Sequence, residues 1–149
     1  MFKKILKKIK NHFIEVIKVK KSPHSIALGF AIGTFIAIFP TLGLSLLLAL
    51  IVIAIFPKIN KFTLLAALVI WNPLVTTPIH ILGYKLGTII FGSIPIVKFN
   101  IVVLDQFYNF SRRFIVGILI ISLIISIISY FIVKLIAKYY KNKNRRNLK

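Results

Sequence analysis

Polar chemistry is scarce in this chain, so the few residues able to perform it stand out. Its acids are Glu15 and Asp105 alone. They lie far apart in sequence, and nothing pairs them for acid–base work. The histidines are His12, His24 and His80, and there is no cysteine. A metal site needs three or four clustered ligands, and so dispersed a set implies none. No serine sits in the glycine elbow that presents a nucleophile. No catalytic residue, metal or cofactor is therefore expected, and the chain reads as a non-enzyme. What remains is a polar group, Asn72, Thr76, Thr77 and His80, set around Pro73 and Pro78 in uncharged sequence. Each proline withholds an N–H and disfavours helix in the residue before it. The four side chains can either satisfy the backbone groups so freed or hold a ligand. Pro40-Thr41-Leu42-Gly43 makes a second break of the same kind.

The elements that must carry these breaks follow from the charge pattern. Residues 22–57, 62–84 and 114–133 contain no Asp, Glu, Lys or Arg. The chain is 58% hydrophobic and 15% charged, against about 45–50% and 25% in soluble domains. Runs of roughly 20 such residues cross the hydrocarbon core as helices. We therefore expect an all-α, helical integral membrane protein with Pro/Gly-broken helices, flanking basic amphipathic helices and a C-terminal transmembrane helix. Residues 1–21 place apolar positions at helical spacing among lysines, which predicts a basic amphipathic helix in the headgroup plane. Ser22 is an N-cap candidate and Pro23 a first helical residue. Residues 26–39 and 44–56 form two short helices around the first break. They read either as a membrane-dipping, re-entrant hairpin or as two thin spans. A third helix begins near Phe62, bends around 71–77 and resumes over 79–91. The resulting divisions are a membrane-embedded core at 22–97, a short interfacial helix at 98–113, a transmembrane helix at 114–140 and a disordered basic tail at 141–149.

Glycine spacing adds a packing expectation. Gly29 and Gly33, and again Gly83 and Gly87, are four residues apart. Small residues at this spacing let helices approach closely in lipid. The first half runs glycines, Pro40, Gly43; the second runs Pro73, Pro78, glycines. This reversed order points to an inverted repeat with a site where the broken segments meet.

The net charge is +19, concentrated at the two ends. Such a balance calls for an anionic partner. No helix-turn-helix, RNA-binding or zinc-finger pattern accompanies it, so nucleic acid is not expected. Anionic lipid is, with Lys3, Lys4, Lys7, Lys8, Lys141, Arg145 and Arg146 as contacts. Basic flanks are retained in the cytoplasm. Both termini are thus expected there, with two or four full crossings of a bacterial cytoplasmic membrane. A homo-oligomer or a membrane partner protein is left open.

Three pieces of the chain carry a family resemblance. They are Ser22-Pro23-His24 with Gly29–Phe35, then Phe39-Pro40-Thr41-Leu42-Gly43-Leu44, then Asn72 through His80 with Gly83–Gly87. Asn60 fits the same pattern. Over about half its length the chain resembles the bacterial membrane family called domain of unknown function 2062. It departs from that pattern at Ser45, where the family often has Gln, at Thr77, where Pro is common, and at His80, where an aromatic is common. The resemblance implies a small bacterial multi-pass protein of a family sometimes fused to glycosyltransferases. It implies no reaction.

Two functions are therefore expected as alternatives. One is a carrier or flippase-like protein for an anionic lipid or lipid-linked group. In it Asn72, Thr76, Thr77 and His80 make polar contacts, and Pro40, Gly43, Pro73 and Pro78 shape the backbone. The other is a non-enzymatic scaffold that binds anionic lipid and docks a partner such as an envelope glycosyltransferase.

Overall fold

The first helix, α1, runs Pro23–Ile38. Ser22 is extended and its Oγ accepts from the Ser25 N–H at 3.1 Å, while Pro23 has no N–H to leave unpaired. The computed structural model describes residues 22–92 and 101–146, with side chains as far as Lys143. The expected N-terminal amphipathic helix, with Lys3, Lys4, Lys7 and Lys8, lies outside the described residues, as do Glu15, His12 and the side chains of Arg145 and Arg146.

At its far end α1 stops because Pro40 cannot donate to the Ile36 carbonyl. Phe39 turns extended, and Leu42 and Gly43 follow with φ of 51° and 89°. Two left-handed residues in succession reverse the chain. The second helix, α2, then runs Ser45–Ile55 back alongside α1. Its exit loop returns to where α1 began. Asn60 N donates to Ser25 O at 3.2 Å, and Ser25 Oγ donates to Lys58 O. The α1–α2 pair is thus a hairpin with both open ends at one end of the bundle.

The third helix, α3, runs Lys61–Ile70, and the fourth, α4, runs Pro73–Phe91. Each starts on an asparagine cap. Asn60 Oδ1 accepts from Phe62 N and Thr63 N, and Asn72 Oδ1 accepts from Leu74 N and Val75 N. The two form one tandem segment broken at Trp71-Asn72. Pro78 lies inside α4 without ending it. Segment α3 runs alongside α1 in the same direction, since Gly29 meets Asn60 and Thr63 while Gly33 meets Leu64 and Ala67. The Thr63 hydroxyl donates to Ile26 O across this contact at 3.0 Å.

The fifth helix, α5, runs Val102–Arg146 and packs antiparallel to both α1 and α4. Gly83 meets Ile118, Gly87 meets the Arg113 backbone, and Gly117 sits against Gly83. Ser126 Oγ donates to Ala31 O at 2.6 Å, and His24 Nδ1 lies 2.7 Å from the Tyr130 hydroxyl. Two expected boundaries are corrected here. A separate interfacial helix at 98–113 and a transmembrane helix beginning at 114 are one continuous helix from Val102. The tail expected to be disordered from 141 stays helical to Arg146. The change in composition at 113–114 alters the helix's surroundings, but no proline interrupts its hydrogen bonds there. Near the C-terminus the basic residues favour the negative end of the helix dipole.

Polar and apolar residues are distributed in reverse of a water-soluble protein. Thr34, Asn60, Thr63, Thr76, Ser122 and Ser129 are buried. Leu46, Leu47, Leu50, Ile51, Leu123, Ile124, Ile127 and Ile128 are exposed. Hydrocarbon favours this arrangement, since it solvates leucine but leaves a hydroxyl or amide to find its partner inside. Pro73–Phe91 and α5 are long and apolar enough to cross a membrane. The described chain is all-α, and it is a membrane protein.

Close approach at Gly87 leaves no room for a side chain. Gly87→Ala places a Cβ in the Arg113 carbonyl and is expected to destabilise the protein by about 1–3 kcal/mol. Leu82→Ala, on the exposed face of the same helix, should change stability by less than about 0.5 kcal/mol. Thermal unfolding in detergent followed by circular dichroism measures both; equal effects would refute the packing role.

Candidate functional site

Breaking α1 at Pro40 frees carbonyls that the helix itself cannot satisfy. One belongs to Ile38, whose usual partner, the N–H four residues on, lies in the reversed turn. His80 supplies the missing donor from α4, its Nε2 lying 2.8 Å from Ile38 O. A carbonyl accepts, so Nε2 carries the proton in this contact. The His80 ring also stands edge-on to Phe114 of α5, 5.7 Å between centroids. His80 therefore joins three helices where the first break occurs.

The second break is secured from the opposite direction. Trp71, the residue that ends α3, donates from Nε1 to Thr34 Oγ1 in α1 at 2.9 Å. Thr34 is completely buried, and Trp71 also packs on the core formed by Ile26, Ala27, Phe30, Ala67, Val133 and Ala137. Thr76, 5% exposed, donates to Asn72 O at 3.3 Å, and Thr77 donates to Pro73 O at 2.6 Å. Both hydroxyls thus reinforce the first turn of α4.

Between the two breaks lies a cavity of about 320 Å³. Ala37 and Ser45 line it from the first break, and Trp71, Asn72, Pro73 and Thr76 from the second. Asn72 and Thr76 share this cavity; His80 is outside its lining and bonds the Ile38 carbonyl instead. Thr77 is exposed and lies outside the lining, because one residue along a helix turns the side chain by about 100°. Pro73 is in the wall; Pro40, Gly43 and Pro78 are outside it. Gly29, Gly33, Gly83 and Gly87 occupy helix contacts elsewhere. Lys141 is exposed on the C-terminal part of α5, away from the cavity.

The lining bears no charge. Its polar groups are the Ser45 hydroxyl, 2.7 Å from Thr41 Oγ1, the Thr76 hydroxyl and the Asn72 amide. The positive end of the α4 dipole faces the same break. Asn72 already occupies the N–H groups of Leu74 and Val75 with its side chain and that of Thr76 with its carbonyl. A guest would thus meet side-chain donors and acceptors in a weak positive field. Among the described residues no three His, Asp or Glu come together to hold a metal.

Trp71 and Ser45 escape a reading based on polar motifs. The chain's lone tryptophan directly before Asn-Pro was the available signal for the first. For Ser45 the signals were its position after the Pro40 turn and its departure from the family pattern.

Broken helices around a cavity of mixed polar and apolar lining, with apolar side chains outward, define an all-α membrane protein with a candidate binding junction. The chain belongs to the family of uncharacterized proteins conserved in bacteria known as domain of unknown function 2062, whose profile matches residues 6–146. No curated protein matches it. No solved structure matches it either.

The long-range hydrogen bonds at the breaks make a measurable claim. Thr34→Val leaves Trp71 Nε1 without its acceptor, and His80→Leu leaves Ile38 O without its donor. Each is expected to lower stability by about 1–3 kcal/mol. Unfolding in detergent can be followed by the fluorescence of the single tryptophan. A variant pair as stable as the parent would remove these contacts from the account.

Proposed function

We propose that this chain is a multi-pass protein of the bacterial cytoplasmic membrane that carries an anionic lipid or lipid-linked group, in the manner of a flippase. The observation that supports it most is the meeting of both helix breaks on one cavity. Irregular backbone at membrane depth is stable only inside protein or along a wet cavity. In carriers such paired breaks commonly form the substrate site. Asn72, Thr76 and Ser45 would contact the polar head, and the α4 dipole would favour its negative charge.

In this reading the α1–α2 hairpin dips into the membrane and returns. The α3–α4 segment and α5 make two crossings. Lys58 and Lys61 share one end of the bundle with Lys134, Lys138 and Lys141, and that end faces the cytoplasm. The basic ends gather anionic lipid there.

A second reading has one observation in its favour. Helix α2 buries only Ala49 and leaves Leu46, Leu47, Leu50 and Ile51 exposed. In a non-enzymatic scaffold this face would dock the membrane segment of a partner such as an envelope glycosyltransferase.

Liposomes carrying a labelled polyprenyl phosphate separate the two. The carrier should speed transbilayer movement of the label, and Asn72→Ala with Thr76→Ala should slow it at least tenfold. Movement no faster than in empty liposomes, or unchanged in the double variant, would leave the scaffold. Topology is tested separately with Lys58→Cys and Pro95→Cys in this cysteine-free chain. An impermeant thiol reagent applied outside intact cells should label position 95 and spare position 58. The opposite pattern would invert the orientation.

A further inference from the structure

Where α4 ends and α5 begins, Asn109, Arg112 and Arg113 share one face of α5 at helical spacing. Gly87 brings the α5 backbone at Arg113 hard against α4. Both arginine side chains are partly buried there. Nε and Nη2 of Arg112 and Nε of Arg113 are cut off from solvent and have no hydrogen-bond partner among the described residues, and neither has Asn109 Oδ1. The Arg112 guanidinium lies over Phe91, 4.6 Å from the ring centroid, with the Tyr108 ring at 5.9 Å.

Those rings answer only part of what a partly buried guanidinium requires. An aromatic face attracts its charge but offers no acceptor in the plane of its N–H groups. Burying a charge without an acceptor is strongly unfavourable. Of the chain's 2 acids, Asp105 stands on this same face of α5 and already has an interaction of its own, so it leaves the orphan N–H groups of Arg112 and Arg113 without an acceptor. An anion from outside the chain would supply the acceptors these N–H groups lack.

Position along α5 identifies its chemistry. Arg112 and Arg113 directly precede the uncharged run 114–133, which ends at Lys134. That run is about 30 Å of helix, one hydrocarbon thickness. The arginines thus stand at the level of lipid headgroups, where phosphate oxygens are the abundant acceptors. A guanidinium fork binds such oxygens two at a time.

We infer that Arg112 and Arg113, with Phe91 beneath, form a binding site for a phosphate oxyanion at the α4–α5 end of the bundle. This site is distinct from the helix-break cavity. It holds whether the protein is a carrier or a scaffold, and its failure would leave both readings untouched. The phosphate comes either from a lipid headgroup or from solution.

The full chain, purified in a neutral detergent, is titrated with dioleoylphosphatidylglycerol and, in a separate arm, with inorganic phosphate. Native mass spectrometry counts retained lipid, and the thermal midpoint reports both ligands. The parent should retain one phosphatidylglycerol tightly, and Arg112→Gln/Arg113→Gln should bind it at least tenfold more weakly. Stabilisation by phosphatidylglycerol alone assigns the lipid source; equal stabilisation by inorganic phosphate assigns the free ion. The variant Lys85→Gln removes a cation from the exposed surface of α4 and should keep the tight lipid. If both variants lose lipid alike, binding is general charge attraction and the proposal falls. Arg112→Lys/Arg113→Lys keeps charge without the fork and serves if the glutamine variant does not fold. It should bind several-fold more weakly, and parent-like affinity in it would overturn the site.

Discussion

Everything in this fold answers to one constraint: hydrocarbon offers no water to a peptide group. An unbroken helix meets that constraint by itself, and a broken one cannot. The chain breaks at Pro40 and again at Trp71-Asn72; a distant side chain repairs the first loss, and a local cap with a long-range brace secures the second. His80 supplies a donor to Ile38, Asn72 holds the first turn of α4, and Trp71 reaches Thr34. These contacts reach across 42 positions in one case and 37 in another. Breaking the helices thus obliges the two halves of the molecule to lie together.

Hydroxyls and glycines make that association close. Without a hydrophobic drive between helices in lipid, tight backbone contact and hydrogen bonding carry the packing. Gly29 and Gly33 admit α3, while Gly83, Gly87 and Gly117 admit α5 to α4. Thr63 and Ser126 then bond across to α1 carbonyls at Ile26 and Ala31. The same small residues that would weaken a soluble core are the cohesive ones here, and the large aliphatic residues serve as the solvent-facing coat.

Much of this was legible locally. The Ser22-Pro23 start, the Pro40 stop and the Asn72-Pro73 restart are set by rules acting over a few residues, and the helices begin and end there. What was not legible depends on distance or on phase. Trp71 and Thr34 carry no mutual signal in sequence. Asn72, Thr76, Thr77 and His80 look like one group along the chain, yet helical phase places Asn72 and Thr76 in the cavity and leaves Thr77 outside. The step from polar to apolar composition at Arg113 resembles an element boundary, but composition changes a helix's surroundings without breaking its hydrogen bonds.

That uninterrupted helix has a mechanical consequence. From Arg113 to Arg146 it is a rod of roughly 50 Å with no hinge. A tilt of about 5° at one end sweeps the other through about 4 Å. Small rearrangements at the Gly87 contact would be magnified into a displacement at the basic end, which gives α5 the geometry of a lever.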